Sequence, residues 1–184
     1  MKKALLIASV LFIAVISTAC INNIAVQELN NKAAEYMQKG DYEAAMNRLQ
    51  ASIDLDSTIY ETYYNLGIAA TNAKKFETAI GAFEDGIKVK PDYANFYYSL
   101  AVAQSNFADE ILDPEVDTED TKKESKNISQ EDSVKASELK VSAISNIEKY
   151  LELNPQAEDK DIAEELLNDC KDFIKESKTE TTVQ

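Results

Sequence analysis

Apolar residues recur along this chain at intervals of three and four, and the pattern of intervals itself recurs. Within the stretch Ile59 to Asp92, Tyr63, Leu66, Gly67 and Ala70 fall at i, i+3, i+4 and i+7, one stripe of a helix. Phe76, Ala79, Phe83 and Gly86 make a second stripe, and Pro91 ends it. Proline cannot continue a helix, and it biases the preceding Lys90 away from helical angles. Gly67 gives up about 1 kcal/mol of helix propensity relative to Ala. That loss makes sense where a second helix must come close, with Ala79 facing Gly67 and Phe83 filling the space beside the contact. The stretch predicts a helical hairpin, and taken alone it could be an ordinary amphipathic one.

Repetition separates the two readings. One period earlier the fixed points become Leu29, Lys32, Ala33, Tyr36, Tyr42, Ala45, Leu49, Ser52 and Ser57. Lys32 and Ser57 depart from the pattern, as expected of a terminal unit with one face in water. Gly40-Asp41 predicts the turn between its two helices, since Gly takes the angles a helix end needs. One period later, Phe96-Tyr97-Tyr98-Ser99-Leu100-Ala101-Val102-Ala103 copies Thr62-Tyr63-Tyr64-Asn65-Leu66-Gly67-Ile68-Ala69. That predicts a helix from about Tyr93 to Ala108.

The period then breaks. Asp109 to Asp132 holds ten acids, three Lys, Pro114 and no aromatic residue. So polar a segment cannot bury enough surface to offset its ordering entropy, which predicts a disordered or loosely ordered loop. Ala143, Ile147, Leu151, Leu153 and Asn154-Pro155 then resume the second-helix pattern, about 30 residues late against a period of about 34. Val134 and Leu139 allow that helix to extend backwards into the insertion. A last helix is predicted from Asp159 to Ser177. Ile162, Leu166, Cys170 and Phe173 lie on one side of it, with Ala163, Leu167 and Ile174 beside them. Its charged face carries Glu164, Glu165, Asp169, Asp172 and Glu176, the two-faced character of a solenoid cap. Cys170 on the apolar face reads as a buried inert thiol rather than a reactive one.

The spacing Tyr-x2-Leu-Gly-x2-Ala, then Ala-x3-Phe, then Pro resembles the tetratricopeptide repeat, a helix–turn–helix of about 34 residues. Tyr63 stands where Trp is commonest in that family, and Ala70 where Tyr is. The resemblance covers about Val26 to Pro155. It implies an all-α fold, a short right-handed α-solenoid of TPR hairpins with a C-terminal capping helix. The expected layout is a leader at 1–20, a tether at 21–25, and repeats at 26–59, 60–93 and 94–155. The third repeat is split by the acidic insertion 109–132, and a cap at 156–177 and a polar tail at 178–184 follow.

The resemblance also implies a concave groove lined by the first helix of each unit, where ligands of the family commonly lie. Carried over by position, the lining is Asn30, Asn31, Ala34 and Gln38, then Glu61, Tyr64, Asn65, Ile68 and Asn72, then Asn95, Tyr98, Ser99, Val102 and Asn106. Of these, Asn31, Glu61, Tyr64, Asn65, Ile68, Asn72, Tyr98, Ser99 and Asn106 are the candidate protein-binding residues. Amides can satisfy the backbone groups of a peptide, and tyrosine offers rigid contact area with a polar tip. The alternative is a solvated face whose amides do nothing. Chaperone-binding members of the family clamp a C-terminal carboxylate with Lys and Arg at these positions. None is basic here, so no such clamp is expected.

The N-terminus carries a different message. Lys2 and Lys3 precede an apolar run from Ala4 to Ile16, too short for a confident membrane-spanning helix. Ser17, Thr18 and Ala19 then lead into Cys20. The arrangement resembles a bacterial lipoprotein signal, with Ser17 where Leu is usual, and implies cleavage before Cys20 and acylation of it. Acyl chains would hold the protein on a membrane surface rather than through it. Ile21, not Asp, follows Cys20, which in enterobacterial-type sorting favours the outer membrane. A Gram-positive owner would place the protein on the outer face of the plasma membrane. An ordinary secretory signal cleaved near Ala19 and an uncleaved anchor remain the alternatives.

Composition narrows the function classes. The chain of 184 residues has net charge −14, which argues against nucleic acid. It has no His, which removes the commonest general base and metal ligand, and two Cys are too few for a zinc site. No nucleophile–base pair or metal constellation is visible, so no enzyme activity and no cofactor are expected. The acidic insertion lacks the fixed spacing and central Gly of a calcium-binding loop, and a solvated excursion is the simpler reading over a docking strip for a basic partner. The expected function is a membrane-anchored protein-interaction scaffold in a bacterial cell envelope. The alternative is a structural or self-associating envelope subunit without a peptide ligand, which sedimentation would reveal as a stable dimer.

Overall fold

In the computed structural model, residues 23–113 and 128–181 are described, with side chains to 177. The expected leader, Cys20 and the centre of the acidic insertion lie outside these residues. Seven helices and no strand occur among the described residues. They are α1 over 23–38, α2 (Tyr42–Leu55), α3 (Tyr60–Asn72), α4 (Phe76–Val89), α5 (Ala94–Leu112), α6 (Gln130–Leu153) and α7 (Lys160–Thr181). Residues 23–25, expected in the tether, form the first described turn of α1.

Turns repeat as the sequence does. Gly40 (φ 74°) and Lys74 (φ 56°) are equivalent residues, and both take the left-handed conformation that stops the first helix of a unit. In each turn the following N–H reaches back five residues, Asp41 N to Tyr36 O (2.9 Å) and Lys75 N to Ala70 O (2.8 Å). These bonds satisfy carbonyls that a helix end leaves open. The unit boundaries repeat too. Tyr63 donates its hydroxyl to Ser57 O at 3.2 Å, and the equivalent Tyr97 donates to Pro91 O at 2.9 Å.

Successive helices pack in order, and α3 also touches α5 while α5 touches α7. The odd-numbered helices therefore share one wall, and the even-numbered ones lie behind it. One core joins Ala33 of α1, Ala45 and Leu49 of α2, Leu66 of α3, Phe83 of α4 and Phe96 of α5. A second core joins Ala101, Ala143, Ile147, Tyr150, Ala163 and Cys170 across α5, α6 and α7. Two glycines set the spacing in the first core. A Cβ on Gly67 would lie less than 3.0 Å from a ring carbon of Phe83, and one on Gly86 less than 3.0 Å from a ring carbon of Phe96, closer than real Cβ contacts come. Gly67 thus makes room for Phe83 itself, not only for the helix that carries it.

Helices α5 and α6 outrun their counterparts in the second unit. The tip of α5 continues to Leu112 and α6 starts at Gln130, so 109–112 and 130–132, expected in a loose loop, are helical. Ser129 starts α6 with a capping box: its hydroxyl accepts from Asp132 N (3.0 Å), and the Asp132 carboxylate reaches back to Ser129 N (3.4 Å). That reciprocal pairing gives a polar sequence a firm helix start.

On α7 the buried stripe runs through Ala163, Leu166, Leu167, Cys170, Phe173 and Ile174. Ile162, expected on the apolar side, is 58% exposed, and the packing buries Ala163 beside it. Cys170 is buried, and burial pushes its thiol pKa up despite the nearby Lys140 charge. Residues 178–181, expected in a polar tail, continue α7.

Candidate functional site

The shared wall of odd-numbered helices carries an open cavity of about 340 Å³. Tyr64, Ile68 and Thr71 line it from α3, and Asn95, Tyr98, Ser99 and Val102 from α5. Asp159, from the turn that leads into α7, completes it. The placement follows from helical spacing: Tyr64, Ile68 and Thr71 are four and three apart, as are Asn95, Tyr98 or Ser99, and Val102.

Its two tyrosines are held from behind. The ring of Tyr64 packs on Phe83, Tyr93 and Phe96 with centroids 6.0, 5.6 and 5.7 Å away. Edge and tilted geometries of this kind fix an aromatic more firmly than area alone. Tyr98 packs on Tyr150 of α6 at 5.2 Å. Ser99 Oγ donates to the Tyr64 hydroxyl at 3.4 Å, joining α5 to α3 across the cavity. Tyr150 donates its hydroxyl to Asp159. Burial, with the hydrogen bond to Asp159 and its charge adding, pushes the Tyr150 phenol up to about 12. Tyr98 is also raised, first by burial and then by the Asp159 charge. Both phenols thus stay neutral donors and acceptors at physiological pH, and the cavity's one formal charge is a carboxylate.

Similarity to known proteins agrees with this architecture. The family model described as TPR repeat matches residues 33–70, and the one described as Tetratricopeptide repeat matches 60–93. The chain is a tetratricopeptide-repeat protein. Several solved structures, TPR domains among them, share its fold at low identity. The TPR2B domain of yeast Sti1 in a pHsp70 complex is 14% identical with a TM-score of 0.60, over 81% of this chain and 98% of that one. The first TPR of Spaghetti (RPAP3), bound to the HSP90 peptide SRMEEVD, is 18% identical with a TM-score of 0.58, over 80% and 90%. The Yersinia enterocolitica type III secretion chaperone SycD, in complex with a peptide of the translocator YopD, is 16% identical with a TM-score of 0.54, over 84% and 93%. No curated protein matches the sequence.

Of the groove residues expected from the TPR resemblance, the cavity brings together Tyr64, Ile68, Tyr98 and Ser99, with Asn95 and Val102. Asn31, Glu61, Asn72 and Asn106 are exposed outside it, and Asn65 is half-buried. Asn72 turns its amide onto its own helix, donating to Ile68 O at 2.8 Å. Asn30 departs from the expectation. Its amide donates to Ser52 Oγ (2.8 Å) and Val26 O (2.9 Å) and accepts from Thr62 Oγ1 (3.2 Å), so it ties α1 to α2 and α3. In the next interface the equivalent positions hold Tyr64, Gly86 and Phe96, an aromatic lock where the first interface has a polar one.

The sequence reading missed Thr71, Asp159 and a polar seam behind the cavity. Lys140, 6% exposed, donates to Ser105 Oγ at 2.8 Å and pairs with Asp109 at 2.7 Å. Beside it, Asn146 donates to Gln104 at 2.9 Å. Lys140 occupies the place that Tyr42 and Phe76 hold in the first two repeats, and that mismatch was the available signal. Among the described residues no group of His, Cys, Asp or Glu could hold a metal ion, and no helix is long and apolar enough to cross a membrane.

Proposed function

We propose that this protein is a lipid-anchored scaffold of a bacterial cell envelope that holds a segment of a partner protein along α3 and α5. The observation that carries the reading is the open cavity walled by Tyr64 and Tyr98 on the shared face of the inner helices. Rigid aromatics with polar tips, backed by a packed core, supply binding area at small entropic cost. Peptide complexes among the structural neighbours support the same use of the fold. The acidic SRMEEVD peptide of the Spaghetti neighbour is a poor guide to ligand chemistry, because no Lys or Arg lines this cavity. The anchor rests on the leader pattern ending at Cys20, and catalysis, where any is involved, belongs to the partner.

Photo-crosslinking residues placed at Tyr64 or Tyr98 in living cells, followed by mass spectrometry, test the groove. The reading expects one partner at both positions and none at the exposed Val141 of α6, which is not part of the cavity lining. Equal capture at Val141 would contradict it. Replacing Cys20 by Ser should release the protein from membrane fractions, and retention would end the anchor reading. A stable dimer of the released chain in sedimentation would favour the self-associating subunit instead.

A further inference from the structure

The cavity lining carries a single electrostatic sign. Asp159 is its one charged lining residue, and no Lys or Arg reaches the lining. Among the described residues Asp159 has no ion-pair partner; its carboxylate is engaged by the neutral hydroxyl of Tyr150. One carboxylate oxygen accepts that bond, and the group retains further acceptor capacity. Tyr64 and Tyr98 line the same cavity, with Ile68 and Val102 giving apolar wall. A tyrosine face attracts a cation electrostatically, and a carboxylate pairs with it. Apolar wall accommodates the aliphatic stem of a long cationic side chain.

We propose that the cavity is a subsite for one cationic side chain of a bound peptide, arginine in preference to lysine. This rests on the groove reading above and adds the chemistry of the occupant. Guanidinium is planar and weakly hydrated, so it can lie on a tyrosine ring while its edge meets the Asp159 carboxylate, which a compact ammonium does less well. The net charge of −14 adds a long-range attraction for basic segments. An acidic side chain would meet the Asp159 charge with no cation to offset it.

The test uses the full chain and acetylated, amidated heptapeptides that differ only at a central Arg, Lys, citrulline or Glu. Binding is read by fluorescence anisotropy. The Arg peptide should bind at least about ten-fold tighter than the citrulline peptide, which has nearly the same shape without the charge, and the Glu peptide weakest. Asp159→Asn should collapse the Arg–citrulline difference, because Asn still accepts from Tyr150 while removing the charge. Should that variant unfold, Val102→Lys serves: it puts a cation in the cavity and should invert the preference towards Glu. Equal binding of Arg and citrulline, or an Arg preference that survives Asp159→Asn, would overturn the subsite. If peptides bind with no charge preference but lose affinity with Tyr98→Ala, the groove reading stands while the subsite falls. Absence of binding by all four peptides would overturn both.

Discussion

Three mid-helix glycines should respond in opposite directions to the same substitution. In an exposed helix, Gly→Ala gains about 1 kcal/mol because Ala loses less backbone entropy and favours the helix. At Gly81 in α4, which is half-buried, nothing opposes that gain: a Cβ there finds nothing within 4 Å. Gly81→Ala should therefore stabilise the fold by about that amount. Gly67 and Gly86 lie in equally regular helices, yet a Cβ on either would overlap the ring of Phe83 or Phe96. Both rings are fully buried and hemmed by other aromatics, so neither can swing away. Overpacking costs roughly 1–3 kcal/mol, and overlap with ring carbons belongs at the upper end. Subtracting the helix gain leaves Gly67→Ala and Gly86→Ala destabilised by about 2 kcal/mol each. Urea unfolding followed by circular dichroism at the helix band measures all three. Pairing Gly67→Ala with Phe83→Leu should cost less than the sum of the two single changes, since the smaller side chain frees the space. If Gly67→Ala or Gly86→Ala proves as stable as Gly81→Ala, the repeats do not nest through these contacts and the packing argument fails.

Other outcomes follow from single contacts. Gly40→Ala should lose about 1 kcal/mol through its left-handed backbone alone, since no neighbour opposes the new methyl, and Gly40→Asn should lose less; thermal melts compare them. Lys140→Ala should cost about 2–3 kcal/mol, because it removes the cation from Ser105 and Asp109 and also leaves a cavity, whereas Lys140→Met should cost less because it refills that space; urea midpoints separate the two. Tyr150 has a folded pKa raised from 10.0 to about 12, so the folded state holds this proton more tightly than the unfolded chain. Its stabilising contribution is complete below pH 10 and is lost as pH rises towards 12, by up to about 1.4 kcal/mol per pH unit. Asp159→Asn should lower that pKa only in part, because burial is the larger cause; phenolate absorbance against pH reads it.

The repeat period made much of this architecture legible. The helix expected from about Tyr93 and the turn at Gly40 come from one spacing carried along the chain, and the inner positions of Tyr64 and Tyr98 come from the TPR resemblance that the spacing supports. A period transfers positions, however, and not partners. Asn30 shares its register with Tyr64 and Tyr98, but Ser52 and Thr62 stand where Gly86 and Phe96 would be, and they draw its amide into the interface. Lys140 sits at an aromatic position, and only the overhang of α5, which brings Ser105 and Asp109 opposite, shows why a buried cation is tolerated. Asp159 belongs to the turn after the last repeat, where no period reaches, so its entry into the cavity needed the packing of α7 on α6. Ile162 and Ala163 both fit the apolar side of α7 by spacing, and the packing buries Ala163 while leaving Ile162 exposed.

The central claim is that the partner lies against the inner wall of the stacked hairpins. Tyrosine-directed footprinting tests it most directly, comparing the protein in native membranes with the purified chain. The account predicts that Tyr64 and Tyr98 become protected in the membranes while Tyr36 and Tyr97 change little. Protection that spares Tyr64 and Tyr98 and falls on other tyrosines would contradict it.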